Sequence, residues 1–244
     1  MALRKRRKSA PPPRRRGPLR RLARGILQAV LLAGAVAVAW VALYRVVPPP
    51  TTFLIESERL RLGGIRRDAL DFDALPDLVR LAFPAAEDAR FCTHHGLDAE
   101  AIRAAFEANA EGKRLRGGST ISQQVAKNAF LWPGRNWLRK GLETGFALLA
   151  ETLWPKRRML EIYLNVAEMG EGVFGLEAAA QTHFGVSAGR LSARQAALIA
   201  AALPNPKERD PARPSGAQAR RAAQIVQGAE TLRANGAGAC VLDG

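Results

Sequence analysis

Ala86-Glu87-Asp88-Ala89-Arg90-Phe91-Cys92-Thr93-His94-His95-Gly96-Leu97-Asp98 sets two adjacent carboxylates ahead of an aromatic residue, two histidines and a Gly-x-Asp turn, after which a helical pattern begins. Phe83, Ala85 and Ala86 precede the acids. A carboxylate among apolar neighbours is costly to ionise, so its pKa rises toward the range useful for proton transfer. Read alone, the stretch fits catalytic carboxylates and ordinary surface ion pairs equally well. What separates the two readings lies on either side of it.

Upstream, Leu78, Leu81 and Ala82 recur at helical spacing from a start near Leu75-Pro76. Pro84 is expected to kink or end that helix and leave Glu87 just past the break. Downstream, Asp98 reads as the N-cap of a helix to about Glu111, with Ile102 and Phe106 on one face. Gly117-Gly118-Ser119-Thr120 then opens another helix, whose free N-terminal amides suit an anion. Ser119, Gln123 and Lys127, four apart, form a polar and cationic stripe with Ile121 and Val125 roughly opposite. The turn from Phe130 to Trp137 holds Trp132, Arg135 and Trp137, a mixture that suits a membrane interface or a packed core.

A long helix follows from about Asn136 to Trp154. Leu138, Leu142, Gly145 and Leu149 are expected to be its apolar seam, with Lys140, Glu143, Ala147 and Glu151 on the other side. Lys140 and Glu143 are within reach of each other at i, i+3. The pair reads either as a solvated ion pair or as a cation and second carboxylate facing Glu87. Pro155 starts a helix to about Ala167, a glycine-rich turn covers Gly170 to Gly175, and a short helix covers Leu176 to Phe184. Ser192-Ala193-Arg194-Gln195 is a capping box before an apolar helix, and Ser215 to Arg233 reads as a last helix. No strand alternation stands out beyond residues 51–75, which read as an extended or weakly helical linker. The region is mainly α.

Charge divides the chain further. The eleven basic residues within positions 1–24 account for most of the net +15 and leave +4 for the rest, so the high pI does not argue for nucleic acid. That tail, with Pro11-Pro12-Pro13, is expected to be disordered. Gly25 to Tyr44 carries no charge and has the length of a membrane-spanning helix. Trp40 and Tyr44 mark its far end, and the positive tail places the N-terminus in the cytoplasm. The run is longer than a signal-peptide core, which favours an uncleaved anchor. Pro48-Pro49-Pro50 follows as a stiff spacer. Cys92 and Cys240, the two cysteines, are read as free thiols rather than a lone disulfide. The three histidines contain no H-x-x-x-H pair, so no zinc site is expected.

Five blocks now stand in order: Glu87-Asp88-x-x-Phe91-x-x-His94-x-Gly96; Gly117 to Asn128; Arg139-Lys140-Gly141-Leu142-Glu143; Lys156 to Asn165; and Gly172 to Ala180. Together they resemble the peptidoglycan glycosyltransferase family over roughly Leu70 to Pro206. The resemblance implies a mainly α, lysozyme-like glycosyltransferase domain behind one N-terminal transmembrane helix. The chain would divide into a cytoplasmic tail (1–24), an anchor (25–47), a linker (48–69) and the catalytic domain (70–244). It further implies polymerisation of lipid II, a disaccharide-pentapeptide on a polyprenyl diphosphate, into glycan strands at the outer face of the inner membrane. By the same resemblance Glu87 is the general base that takes a proton from the acceptor 4-hydroxyl. Glu143 is the second carboxylate, beside the diphosphate. Lys127, Arg135 and Lys140 are cations for that diphosphate, and Asp88, His94, Ser119 and Gln123 line or brace the cleft. No cofactor is required by the sequence, although a divalent cation, Mg or Mn, is compatible with the diphosphate. The partners implied are lipid II, the growing glycan strand, the membrane and other cell-wall synthesis or division proteins.

Two positions depart from the family pattern: Ala104 stands where a basic residue is usual, and Pro84 interrupts the helix before the base. Arg103 points about 100° away from its neighbour's direction around a helix. An α-linked donor giving a β-linked product is an inversion, for which paired carboxylates stand about 6.5–9.5 Å apart in inverting glycosidases. Two alternatives share part of this pattern. A glycan-cleaving, lysozyme-like enzyme would need neither the stripe nor the anchor. A non-catalytic membrane-anchored scaffold would tolerate loss of Glu87 or Lys127. A transpeptidase domain is not expected, because there is no S-x-x-K motif.

Overall fold

The computed structural model describes residues 18–110, 118–134 and 136–243. It divides into two compact units between Trp40 and Val41. The first is the greater part of α1 (Pro18–Tyr44), whose stretch Leu19–Tyr44 is long and apolar enough to cross a membrane. The helix begins before Gly25 and takes in Arg20, Arg21 and Arg24. Arginine and leucine are good helix formers, so the last turns of the expected disordered tail continue the helix instead.

The second unit is helical, with one small sheet. Its elements are α2 (Phe53–Leu62), β1 (Arg66–Arg67), α3 (Asp77–Glu87), α4 (Ala99–Ala110), α5 (Ile121–Phe130), α6 (Trp137–Leu153), α7 (Lys156–Val166), β2 (Glu168–Gly170), β3 (Val173–Phe174), α8 (Leu176–Phe184), α9 (Ala193–Ala202), α10 (Gly216–Ala234) and α11 (Ala239–Leu242). The core is built on α7 and α9. Met159, Leu160, Ile162 and Leu164 are fully buried, and every residue from Ala196 to Ala202 is buried. Helices α3, α9 and α10 pack against one another, while α5 packs on α6 and α7. Side-chain caps set the starts: Ser192 with Gln195 forms the expected capping box, and Asn136 and Ser215 cap α6 and α10.

In this unit five further sequence expectations change. Residues 53–62 form a full helix, because Thr52 caps it by accepting from the Ile55 amide at 3.3 Å. Pro84 does not end α3, which runs on to Glu87. A proline in the last turn forfeits one backbone bond while the Asp88 amide still reaches the Pro84 carbonyl at 2.8 Å. The glycine-rich 168–175 segment is part of a three-stranded sheet, ordered β1-β3-β2, with β1 parallel and β2 antiparallel to β3. Its turn depends on Gly172 at φ +65°, where a Cβ would sit 2.7 Å from Leu62 Cδ1. Cys92 and Cys240 are joined in a disulfide, with Cα atoms 5.6 Å apart. Packing of α11 on α3 and α7 brings together residues 148 apart in sequence, which spacing along the chain does not reveal.

The fifth change is the orientation of α6. Its buried residues are Arg139, Glu143, Ala147 and Ala150. Trp137 is 92% exposed and Leu138 71%, and Leu142 and Leu148 are also on the outside. The two alanines allow close approach to the neighbouring helices, and Arg139 pairs with Glu143. The polar stripe therefore packs inward while the apolar seam faces out.

Candidate active site

Glu87 is the last residue of α3, half-buried beside α5. Gln124 Nε2 donates to its Oε2 at 2.8 Å, and the Gln124 carbonyl accepts from the Tyr163 hydroxyl at 3.3 Å. Tyr163 is buried, so it fixes the amide that fixes the carboxylate. Burial raises the pKa of Glu87; the Gln124 hydrogen bond and the charges of Arg221 and Lys127 pull the other way without cancelling it. Arg221, from α10, also donates to the Ala86 carbonyl at 3.0 Å.

Asp88 points to the other side of the chain. Its Oδ2 accepts from the Ile121 amide at 3.0 Å, and His94 Nε2 lies 2.9 and 3.0 Å from its two oxygens. The start of α5 is thus filled by the protein's own anion. Thr120 caps the helix, its hydroxyl donates to the Gly96 carbonyl at 2.6 Å, and Gln123 closes the capping box on the Thr120 amide. Asp88, His94 and Gln123 are all buried.

The second cluster is built on α6. Glu143, 3% exposed, accepts from Arg139 Nη1 at 3.3 Å and from Lys140 Nζ. Lys140 Nζ also reaches Ser119 Oγ at 3.5 Å. Lys127 of α5 lies in the electrostatic field of Glu143, Arg139, Lys140 and Glu87, and burial lowers its pKa. Beside these side chains opens a cavity of about 400 Å³, lined among others by Gln124, Lys127, Asn128, Arg139, Tyr163 and Glu168.

This geometry accompanies a close sequence match. Residues 57–230 match the family described as Transglycosylase. The biosynthetic peptidoglycan transglycosylase of Jannaschia sp. (strain CCS1) is 52% identical over 217 residues, 89% of this chain and 89% of that protein. The protein of the same name from Rhodospirillum centenum is 52% identical over 227 residues, 92% and 96% of the two chains. That of Pseudomonas aeruginosa is 48% identical over 215 residues, 86% and 93%.

The chain belongs to the transglycosylase family.

Within this transglycosylase, the residues singled out from sequence fall into two sets. Ser119, Lys140 and Glu143 are joined by direct bonds, and Lys127, which lines the cavity, is linked to Glu143, Lys140 and Glu87 by charge. Asp88, His94 and Gln123 are not in the cleft wall; they lock the turn after α3 to the start of α5. Arg135 lies outside the described residues. Ala104 is exposed on α4, and Arg103 is paired with Glu107 at 2.9 Å. Gln124, Arg139, Asn128 and Tyr163 stand in the matched blocks without a site role assigned from sequence. The signal for Gln124 was the capping box itself: Thr120-x-x-Gln123 consumes Gln123, so the helix begins at Ile121 and turns Gln124, Lys127 and Asn128 to the cavity. Arg139 stands at i, i+4 from Glu143, a spacing that marks a partner.

Proposed function

We propose that this domain polymerises lipid II into glycan strands by inverting glycosyl transfer, with Glu87 as general base. The observation that carries the reading is a half-buried carboxylate of raised pKa whose hydrogen-bond partner, Gln124, lines the same cavity as Lys127 and Arg139. Glu87 Oε2 is engaged by Gln124, which presents Oε1 to the acceptor's 4-hydroxyl. The hydroxyl oxygen, losing its proton to Glu87, attacks the donor's anomeric carbon as the bond to the diphosphate oxygen breaks. Lys127, Arg139 and Lys140 are the groups suited to take up the charge that develops on the leaving diphosphate. One displacement inverts the centre, so no covalent sugar–enzyme species forms. Glu143 keeps Arg139 and Lys140 in place between turnovers.

Among the described residues no group of three or more His, Cys, Asp or Glu is placed to hold an ion. Glu143 is already shared by two cations. A Mg or Mn ion would take its ligands chiefly from the diphosphate, whose charge it would help to neutralise.

The apolar helix would anchor the chain in the inner membrane, with Arg20, Arg21 and Arg24 on the cytoplasmic side and the domain beyond the bilayer. The disulfide supports an oxidising compartment for the domain. The exposed Trp137, Leu138, Leu142 and Leu148 of α6 suit contact with lipid, where the polyprenyl chain of the substrate resides. Tethering to the bilayer raises the effective concentration of such a substrate. The test is polymerisation of labelled lipid II by the detergent-solubilised protein beside Glu87→Gln. Strands from the wild type alone are expected. Shortening of preformed glycan without polymerisation would replace the reading with a hydrolase, and inertness toward both substrates with an intact fold would replace it with a scaffold.

A further inference from the structure

We propose that Cys92 and Cys240 form a thiol–disulfide exchange site whose oxidation switches the transferase on. The proposal rests on the reading that the domain transfers sugars outside the cytoplasm. Cys92 lies in the turn that follows Glu87, between Asp88 and His94. The turn is folded on itself, with the Phe91 amide donating to the Asp88 carbonyl at 2.9 Å and the Thr93 amide to the Arg90 carbonyl at 2.8 Å. Asp88 holds the start of α5, the helix that presents Gln124 and Lys127. Whatever moves this turn therefore moves both the base and its partners.

Cys240 lies in α11, a helix of four residues, too short to be stable by itself. It is seated on the domain by Val241, which is fully buried, and by Gly238, where a Cβ would come 2.4 Å from Leu81 Cδ2 of α3. The disulfide stitches this seated clasp to the turn, and both cysteines are only half-buried, so an exchange partner has access. The oxidant is a protein disulfide of the dithiol-oxidase class. One cysteine thiolate attacks that disulfide and displaces one of its sulfurs as a thiolate. The second cysteine thiolate then attacks the mixed disulfide, forming the Cys92–Cys240 bond and releasing the other sulfur. Two electrons and two protons pass to the oxidant, which leaves as a dithiol. A chain still in a reducing compartment would carry two thiols and a loosened base turn, so it would be silent until exported.

The test uses the full-length protein in detergent, oxidised or reduced with dithiothreitol, with thiols counted by mass after alkylation. Activity is read about 15 °C below the melting temperature of the reduced form, with circular dichroism to verify folding. Reduction is expected to lower kcat about tenfold, with KM for lipid II within about twofold, because misplacement of a catalytic group slows the step more than binding. Re-oxidation with glutathione disulfide should restore kcat in the wild type and not in Cys240→Ala, which should match the reduced enzyme. Full alkylation of both cysteines with kcat unchanged would overturn the proposal. So would two free thiols in the oxidised preparation, or a loss of activity that tracks unfolding at the assay temperature. If the oxidised wild type makes no polymer at all, it is the transferase reading that fails, and the switch with it.

Discussion

Glu87 and Glu143 are both withdrawn from water, one at the end of α3 and the other midway along α6, but their company is opposite. Glu143 sits between Arg139 and Lys140, an acid whose charge is matched where it lies. Glu87 has an amide as its nearest donor and its full cations at longer range, so burial wins and its proton affinity rises. The difference separates two tasks. A matched carboxylate holds cations in position, whereas an under-matched one accepts a proton.

The strongest way to break this contrast is Glu87→Gln, which keeps the shape and the Gln124 contact but removes the carboxylate proposed as the base. Polymerisation should fall about 10³-fold, the range for loss of general base catalysis. Residual activity near wild type in a lipid II assay would move the base elsewhere. Next comes Arg139→Ala, which leaves the buried Glu143 with Lys140 alone. Denaturant unfolding should show a loss of about 3 kcal/mol, as when a buried pair loses one partner. Lys140→Ala, at a half-exposed position, should cost no more than about 1 kcal/mol. Equal losses would mean that Glu143 is not held mainly by its buried partner.

A smaller effect is expected from Gln124→Ala. Its hydrogen bond lowers the pKa of Glu87, so removing it should move the acid limb of the kcat/KM profile to higher pH, with activity at neutral pH down about tenfold. A profile that stays in place would detach Gln124 from the base. The smallest effect concerns stability. The folded-state pKa of Glu87 is raised, so the folded protein binds this proton more readily than the unfolded chain, and the associated stability is present at low pH and lost as pH rises through the raised pKa. Glu87→Gln should therefore melt slightly above the wild type at neutral pH, with the gap closing as pH falls. A gap that widens on acidification would reverse the sign of the shift.

Much of this contrast was legible from sequence. Glu87 and Glu143 could be placed because each lies in a block whose order fixes its neighbours, and Lys127 because it follows a helix start at a fixed distance. Gln123 sits in the expected stripe but does not face the cavity for a local reason: a capping box withdraws its third residue from the face it would otherwise join, and Gln124 lines the cavity. The reversal of α6 failed for a global one. Periodicity separates two faces of a helix but does not say which one meets the protein when the other can meet lipid. Cys92 and Cys240 were unreadable as a pair because their meeting depends on how α11 packs on α3 and α7. The small sheet escaped because strands of two or three residues have no period to detect.

Val41 is fully buried, and Trp154 Nε1 donates to its carbonyl at 2.8 Å. Tyr44 stacks on Phe130 at 5.5 Å between ring centres, and Phe130 stacks in turn on Phe146 at 4.9 Å. Arg67 then ties down the proline run through the carbonyls of Pro49 and Pro50. A soluble fragment cut at the prolines, where composition invites the cut, would open an aromatic socket to water and lose its first hydrogen-bonded turn. The boundary that respects the packing lies upstream, at Val41, inside the same helix that a hydropathy plot assigns wholly to the bilayer.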